Sequence, residues 1–459
     1  MFFVNITKAY LGGGVVLLPE AIMFGGFILG PCLILVLAFL LNHTMKLLIR
    51  MKEAVSLLQQ LEPAEEEAHL LMADAEGVSE DEDREDEDRA PPAEKIGLGS
   101  IGAFCFGWIG RLLVNSALLA TNVGIVISYV NLNTQSFQRV IFGSNHCEQT
   151  NEQNYQIVLW VQFVGVCFLC MLGPKQLSFS SLLGNAAVAF AMSVVIVNSV
   201  RFIYNPSRAP VNIFAPIGDK VVAAVPNIFF SFVMHGTILS QHEAINHSER
   251  QHAPRQLNLA ALVVSLGYAV FATVAYVAYV GMLTSPEYKV GTSILLVLVP
   301  QSGVLSAATS ILSFAILFSI PLFTDGVFDL VGLAWRTPQT SSSSWGEASR
   351  GGVSGSGNLA IGLFRIVVVL AMFAVLSIVR LLAAGGSEKG QQQADPLSYP
   401  LKITGAVAMS WLGCIIPALF YMSFALRGVA AFKIVSLDGG LVMAAGLVGI
   451  ISCVLGVKN

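Results

Sequence analysis

The sequence predicts an all-α integral membrane protein with about eleven transmembrane helices. Of its 459 residues, 55% are hydrophobic and only 12% are charged, and the mean hydropathy is +0.71. A soluble chain needs a more polar surface, so the bilayer must be the solvent for much of this one. Apolar windows of about 20 residues, the length that crosses the hydrocarbon core, recur from one end of the chain to the other.

These windows also divide the chain. The predicted spans are 5–25, 27–50, 109–133, 156–173, 177–203, 222–243, 257–283, 302–333, 359–384, 402–426 and 431–456. Residues 1–51 thus hold helices 1 and 2, residues 101–334 hold helices 3 to 8, and residues 359–459 hold helices 9 to 11. A disordered acidic cytosolic loop is predicted over 52–100 and a Ser/Gly-rich cytosolic linker over 335–358.

The positions of lysine and arginine predict a cytosolic N-terminus. With that orientation most of these residues, from Lys8 in the first span to Lys433 at the start of the last, lie at cytosolic ends or in cytosolic loops. Eleven spans would then bring the C-terminus to the outer side.

The first span, KAYLGGGVVLLPEA, is interrupted by Gly12, Gly13 and Gly14. An unwound helix at membrane depth leaves backbone N–H and C=O groups that bind a small polar substrate or an ion. The three glycines are therefore candidate substrate-binding residues. The alternative is a continuous helix whose glycines allow close packing against a neighbour.

The sixth span, AVPNIFFSFVMHGTILSQHEAI, carries Pro226 and a polar cluster at Ser231, His235 and Gly236. Such residues are costly in a membrane unless they face a cavity or one another, which predicts a second broken helix. We take all three as candidate substrate-binding residues, and His235 also as a candidate for ion coupling because imidazole titrates near neutral pH. The alternative for His235 is packing against a backbone carbonyl. If helices 1–5 and 6–10 are inverted repeats, the two broken helices meet at the midplane.

The loop over 52–100 holds more than half of the acidic residues of the chain, and its centre reads SEDEDREDED. Within it, Glu66, Leu70 and Leu71 stand in a pattern that resembles the acidic dileucine signal read by sorting adaptors. A sorting adaptor is therefore a candidate partner, and the signal favours a vacuolar, lysosomal or endosomal membrane over the plasma membrane. The alternative is a chance pair of leucines in a helical turn.

Enzyme, metal and nucleic-acid motifs are absent from the sequence. Cys167 and Cys170 form a CxxC pattern inside a predicted span, with neither a second pair nor a nearby histidine to complete a metal site. The chain contains no HExxH, Walker or GxSxG motif. The sequence thus predicts no enzyme activity, no cofactor, no metal and no nucleic-acid partner.

The segment KAYLGGGVVLLPEA followed by GGFILGP resembles the opening of the amino acid/auxin permease superfamily. FSFVMHGTILSQHEA resembles the sixth-helix motif of its sodium-coupled neutral amino acid and vacuolar branches. Further matching motifs follow in order, namely GWIGRLLVNSALLATNVGIVISYV, PLFTDGVFDLV, FRIVVVLA and ITGAVAMSWLGCIIPALFY. The resemblance implies a leucine-transporter-like inverted repeat with helices 1 and 6 broken. It also implies secondary transport of amino acids, with neutral ones favoured, coupled to a proton or sodium gradient.

Two positions depart from the family pattern. Glu20 stands where the family has an aromatic residue, and Gly236 stands where the vacuolar branch has proline. Glu20 is a candidate for ion coupling, as a proton carrier or as the counter-charge of a cationic substrate. Its alternative is a solvated carboxylate at the outer interface.

In this fold helix 3 lines the substrate path, which makes Asn122 and Tyr129 candidates for contact with the substrate. Polar helix packing is the alternative for both. Ser319, with Ser313 and Thr324, offers hydroxyls for a sodium site in helix 8. An acidic lumen favours protons, and the sequence leaves both coupling ions open.

The resulting hypothesis is alternating access, with the substrate carboxylate at the amides of Gly12–Gly14 and its ammonium group at carbonyls near Ser231–Gly236. One rival is an amino-acid-sensing transceptor that signals through the acidic loop. A channel is disfavoured, because no ring of pore-lining carboxylates or carbonyls is apparent.

Overall fold

The computed structural model describes residues 2–74, 96–142, 152–171, 174–203, 219–232, 234–243, 245, 247–283, 303–335, 355–385, 404–429, 431–433 and 436–458. Every regular element in these residues is helical, and each predicted span overlaps with one or more of the helices. Within the described residues, seven helical segments are long and apolar enough to cross a membrane, and Gly303–Leu317 and Leu363–Ile378 form shorter apolar helices. The prediction of an all-α membrane protein is confirmed.

The first half of the chain forms α1 (Phe2–Tyr10), a 3-10 helix (Gly13–Leu17), α2 (Leu18–Asp74), α3 (Leu98–Phe142), α4 (Glu152–Met171) and α5 (Pro174–Ile203). The second half forms α6 (Asp219–Phe232), α7 (His235–Glu243), α8 (His247–Arg250), α9 (Ala253–Leu283), α10 (Gly303–Leu317), α11 (Ile320–Trp335) and α12 (Gly355–Gly385). Two π-helical stretches, Thr404–Met409 and Trp411–Ile415, lead into α13 (Ile416–Leu426), and α14 spans Leu437–Lys458.

The first predicted span is broken where the glycines stand. Helix α1 ends at Tyr10, Gly12 is extended (φ −97°, ψ −175°), and the 3-10 helix follows. The Gly12 N–H donates to the Tyr10 carbonyl at 2.8 Å, two residues back rather than four. The predicted break in helix 1 is confirmed.

Helix α2 contains the end of the first span and the whole of the second. The two parts meet at Gly26, where φ is 77° and ψ is 171°, a backbone conformation that favours glycine. Helix α3 has a similar bend at Phe106 and Gly107, the latter with φ of 64°. Only its part after the bend corresponds to the predicted third span.

The sixth and eighth spans are also interrupted. Helix α6 ends at Phe232 and α7 begins at His235, as predicted for a broken helix 6. Between α10 and α11 the chain makes a turn at Phe318 and Ser319.

The helical part of the chain extends further than the sequence predicted. Helix α2 continues to Asp74, so the loop does not begin at residue 52. The alanine, leucine, glutamine and glutamate residues of 52–74 are strong helix formers, which explains the extension. Residues 75–95, with the acidic centre of the loop, and 336–354 of the linker lie outside the described residues.

Helix α2 lies at the centre of the packing, against α6 and α9, while α3 packs on α4, α10 and α11. Polar side chains join distant spans at these contacts. The Asn42 amide donates to the Asn258 side-chain oxygen at 2.7 Å, which links α2 to α9. Helices α2, α3 and α9 lie around the two broken helices.

Candidate functional site

The breaks of helices 1 and 6 touch each other. A Cβ on Gly14 would lie 2.6 Å from the Ser231 Cα and 2.9 Å from the Phe230 carbonyl oxygen. No side chain fits at this distance, so glycine is required for the two backbones to approach. The structure thus brings together two of the predicted substrate-binding residues, Gly14 and Ser231.

Tyr129 of α3 covers the break from one side. A Cβ on Gly12 would overlap the Tyr129 hydroxyl. The Tyr129 ring packs edge-on against Phe230 of α6 and Phe323 of α11, with ring centroids 6.0 and 5.8 Å apart. One aromatic side chain therefore contacts both breaks and helix 8. Gly13 begins the short 3-10 helix beside it.

Backbone groups at the breaks have few helical partners, because α1 and α6 end there while the 3-10 helix and α7 begin. Some are satisfied by side chains: the Tyr268 hydroxyl donates to the Tyr10 carbonyl at 2.6 Å. The Ser231 hydroxyl donates within its own helix, to the Asn227 carbonyl at 2.9 Å. The N-terminus of α7 points its positive dipole end at the break.

His235 lies in the contact between α7 and α2. It is fully buried, and its Nε2 is 2.8 Å from the Thr44 hydroxyl. Because Thr44 donates its hydrogen to the Leu41 carbonyl, the Nε2–H of His235 is the donor to Thr44. Its Nδ1 has no hydrogen-bond partner among the described residues. This position corresponds to the packing alternative, although with a helix 2 hydroxyl as the partner.

Gly236 and Asn122 both lie at contacts of α3. A Cβ on Gly236 would stand 3.0 Å from a Leu118 methyl, so this glycine allows α7 to approach α3. The buried Asn122 amide packs against Gly326 of α11, where a Cβ would collide with it. The contacts of both residues are with neighbouring helices.

Glu20 is buried rather than solvated. Its side chain is 2% exposed, and Oε2 accepts a hydrogen bond from the Asn227 amide at 3.3 Å. This contact joins the part of the first span that follows the break to α6. The solvated alternative for Glu20 is wrong, because the α6 helix covers it.

Ser319 lies at the turn between α10 and α11, where its hydroxyl donates to the Ala315 carbonyl at 3.0 Å. Two other helix 8 hydroxyls, Ser313 and Thr324, are also buried, and Thr324 donates to the Pro321 carbonyl. The structure thus describes all three candidate hydroxyls at positions away from bulk solvent.

Lys8 is a buried residue that the sequence analysis did not include among the site candidates, since it counted Lys8 only as a cytosolic cation. Lys8 is 7% exposed, and from the position of a Cβ on Gly184 its Nζ is 3.8 Å away and the Ala315 carbonyl 4.0 Å. Its ammonium group forms no ion pair with a carboxylate in the part of the chain described. A lysine in an apolar span was the signal that could have identified it.

At one end of the bundle, α7 is tied to α2 by an ion pair. Lys52 Nζ lies 2.8 Å from Glu243 Oε1, and it also donates to the Leu239 carbonyl at 3.4 Å. Both side chains are largely buried, so the pair is only partly screened by water. Of the predicted sorting signal, Glu66, Leu70 and Leu71 lie on the backbone of α2, and their side chains lie outside the description.

Comparisons with known proteins agree with this architecture. The fold is similar to that of a Na+-coupled sialic acid symporter in its substrate-bound outward-open state, with a TM-score of 0.51 and 10% identity. The match covers 100% of this chain and 88% of that one. A manganese transporter from Eremococcus coleocola matches with a TM-score of 0.48 and 12% identity, over 99% of this chain and 84% of that one. The first match confirms the predicted leucine-transporter-like fold.

Residues 1–437 match the family model described as transmembrane amino acid transporter protein. The match covers every helix through α13, and it confirms the superfamily that the sequence motifs indicated. The nearness to the sodium-coupled neutral and vacuolar branches stays a prediction. Since the family consists of transporters, the protein is a multi-pass membrane transporter and not an enzyme. The chain belongs to the transmembrane amino acid transporter family.

Proposed function

We propose that the protein is a secondary active transporter of neutral amino acids, a symporter that works by alternating access around the breaks of helices 1 and 6. The observation that carries this proposal is the contact between Gly14 and Ser231, which brings the backbone groups of both breaks together. An α-amino acid carries a carboxylate and an ammonium group close to each other, and the two breaks offer amides and carbonyls at similar spacing.

The substrate carboxylate binds the amides of Gly12–Gly14, at the start of the following half-helix, where the helix dipole favours an anion. The ammonium group binds carbonyls between Ser231 and Gly236. Because Gly14 and Ser231 are in van der Waals contact here, the two breaks must separate to admit a substrate. That separation is the opening step of the transport cycle.

The selectivity for neutral side chains follows from the walls around the breaks. Tyr129, Phe230 and Phe323 form a cluster of aromatic rings beside Gly12. An apolar or small polar side chain of the substrate loses little hydration energy there, whereas a charged one needs a partner. The Glu20 carboxylate, bonded to Asn227, is directed to α6.

Coupling to protons rather than sodium is supported by the position of Lys8. The Lys8 Nζ and the Ala315 carbonyl oxygen both lie within 4.0 Å of the Cβ position of Gly184. A sodium ion bound to that carbonyl and to the Ser319 hydroxyl would therefore lie in the same region as the Lys8 ammonium group, whose charge opposes it. Lys8, Glu20 and His235 are then the candidate proton carriers. A proton gradient suits a vacuolar or lysosomal membrane, to which the Glu66, Leu70 and Leu71 signal would direct the protein through a sorting adaptor.

Uptake by the purified protein in liposomes tests the proposal. A labelled neutral amino acid is offered across an imposed pH gradient, with and without sodium, and unlabelled amino acids of each side-chain class compete. We expect pH-driven uptake without sodium and competition by neutral amino acids. A strict sodium requirement would reject proton coupling, and substrate binding without uptake would favour the transceptor.

The Lys8→Met variant tests, in the same assay, whether Lys8 is the proton-coupling group. If Lys8 takes part in proton coupling, the variant loses pH-driven uptake while it still exchanges internal for external substrate. Unchanged pH-driven uptake by Lys8→Met would exclude Lys8 as the coupling group and return the assignment to Glu20 or His235.

A further inference from the structure

We propose that a groove between the start of α3 and the end of α13 binds an anionic glycerophospholipid of the cytosolic leaflet. The acyl chain lies along the apolar wall of the groove, and the phosphate of the headgroup binds the Arg427 guanidinium. The site is on the outer surface of the bundle, away from the breaks of helices 1 and 6, and it does not depend on the proposed substrate.

The groove has a volume of about 260 Å³ and is almost entirely apolar. Its lining consists of Phe106, Leu419, Met422, Ser423, Leu426 and Arg427. Leu426 is 75% exposed and Phe106 is 47% exposed, so the groove opens outward rather than into the core. Apolar side chains that face outward at this density in a membrane protein face lipid tails.

The bend of α3 creates this groove. Phe106 departs from helical geometry (φ −134°, ψ 17°) and Gly107 has a positive φ of 64°, so the helix changes direction beside α13. A Cβ on Gly107 would meet no atom of the described residues within 4 Å, which leaves open space between them at the bend. The ring of Phe106, which lines the groove, lies near Phe420 of α13, with centroids 6.5 Å apart.

Arg427 is held in place at the mouth of the groove. Its Nη2 donates to the Cys105 carbonyl at 3.0 Å, and the guanidinium lies 4.8 Å from the centroid of the Phe104 ring. The remaining N–H groups of Arg427 have no partner within the described ranges, and no carboxylate there pairs with it. A planar guanidinium with free N–H groups suits two oxygens of one phosphate.

The groove lies at the level of a membrane interface. Helix α13 ends at Leu426, and Trp108, 74% exposed, stands just past the α3 bend, as interfacial tryptophans do. The Tyr421 hydroxyl donates to the Lys433 carbonyl, and Asp438 pairs with Arg50, so the mouth lies at the same end of the bundle as Arg50, where the second predicted span ends. The sequence assigns this end to the cytosol, whose leaflet carries the anionic lipids.

An apolar groove with one oriented, unpaired cation at its mouth matches a lipid better than a soluble phosphate. A soluble anion would gain the Arg427 contact alone, whereas a lipid also buries its chain against Leu419, Met422 and Leu426. The charge of Arg427 selects anionic headgroups over zwitterionic ones.

The test uses the full-length protein in detergent, with dioleoyl-phosphatidylserine or dioleoyl-phosphatidylcholine added at equal concentration. Native mass spectrometry measures the bound lipid, and a thermal melt measures the stabilisation. We expect the wild type to bind the serine lipid more tightly, and Arg427→Gln to weaken that binding about tenfold. Arg255→Gln, which removes an exposed cation at the start of α9, should bind as the wild type does.

A second variant keeps the cation and fills the groove. Met422→Trp should also lose the serine lipid, because the larger ring occupies the space of the acyl chain while Arg427 remains. Equal binding of the two lipids by the wild type, or unchanged binding by both variants, would overturn the proposal. Displacement of the lipid by water-soluble glycerophosphoserine at a similar concentration would also overturn it, since that result identifies a phosphate site without a chain.

Discussion

At the contact of Gly14 with Ser231, two backbones are too close for any side chain to stand between them. We expect Gly14→Val to abolish uptake while the protein still reaches its membrane, because the branched side chain would push the two breaks apart and favour a continuous helix. Uptake and membrane abundance are measured together. Gly267→Val is the matched control, at a helical glycine of α9 where a Cβ would meet no described atom within 4 Å. Near-normal uptake by Gly14→Val would contradict the substrate site.

His235 offers a sharper choice between packing and proton coupling. Its removal leaves a cavity and takes away the donor to Thr44, so His235→Ala should lower the free energy of unfolding by about 1–3 kcal/mol. If packing is its only role, a thermal melt shows this loss and the pH profile of the remaining uptake stays as in the wild type. A shifted pH profile would instead support His235 as a proton carrier.

Single residues also show what a sequence can predict of this site. Gly14 and Ser231 were identified because glycine runs and polar clusters are unusual in membrane spans. The partner of His235 was not, since Thr44 lies 191 residues away and only the packing of α7 on α2 brings the two together. Glu20 was identified because it departs from the aromatic residue of the family pattern. Its burial against Asn227 depends on the packing of α6, which the sequence does not show.

Among the elements, the breaks of helices 1 and 6 were predictable and the bends were not. The breaks coincide with three consecutive glycines and with a polar cluster, both visible in sequence. The bends at Gly26 and Gly107 lie in apolar runs, where a glycine signals close packing as readily as a positive φ. The end of α2 was misplaced because acidic composition was given more weight than helix propensity.

The short helix α7 is connected to α2 by Lys52 and Glu243, so any movement of α7 at this end must break that ion pair. We expect Lys52→Glu to weaken the contact between α7 and α2 by about 1–3 kcal/mol, because it places two carboxylates side by side at a partly buried position. The accessibility of a cysteine introduced at Leu239, which is buried on α7, measures the separation of α7 from α2.

The exchanged pair Lys52→Glu with Glu243→Lys is the control for that experiment. It restores opposite charges at the same two positions, so accessibility and uptake should return toward the wild type. If the exchanged pair behaves as the single variant does, the ion pair does not hold α7 against α2.

For the whole molecule, the proposed sorting signal at Leu70 and Leu71 would determine in which membrane transport takes place. Changing both Leu70 and Leu71 to alanine should move a tagged protein from internal membranes to the cell surface, because adaptor binding needs their apolar side chains. Leu57 and Leu58 form a second leucine pair on the same helix, near the fully buried Val55, and their double alanine variant is the control. If imaging finds the wild type already at the surface, Leu70 and Leu71 do not act as a sorting signal.

Three polar residues of α2 are without their hydrogen-bond or ion-pair partners during part of the protein's synthesis. Asn42, Thr44 and Lys52 have their partners in Asn258, His235 and Glu243, which the ribosome synthesises about 190 to 216 residues later. During that interval these groups lie in the membrane without their partners, a costly state that quality-control factors recognise. A chain stopped after residue 203 should therefore be degraded faster in a pulse-chase experiment than one stopped after residue 283. Equal half-lives would show that the young α2 is satisfied by other means.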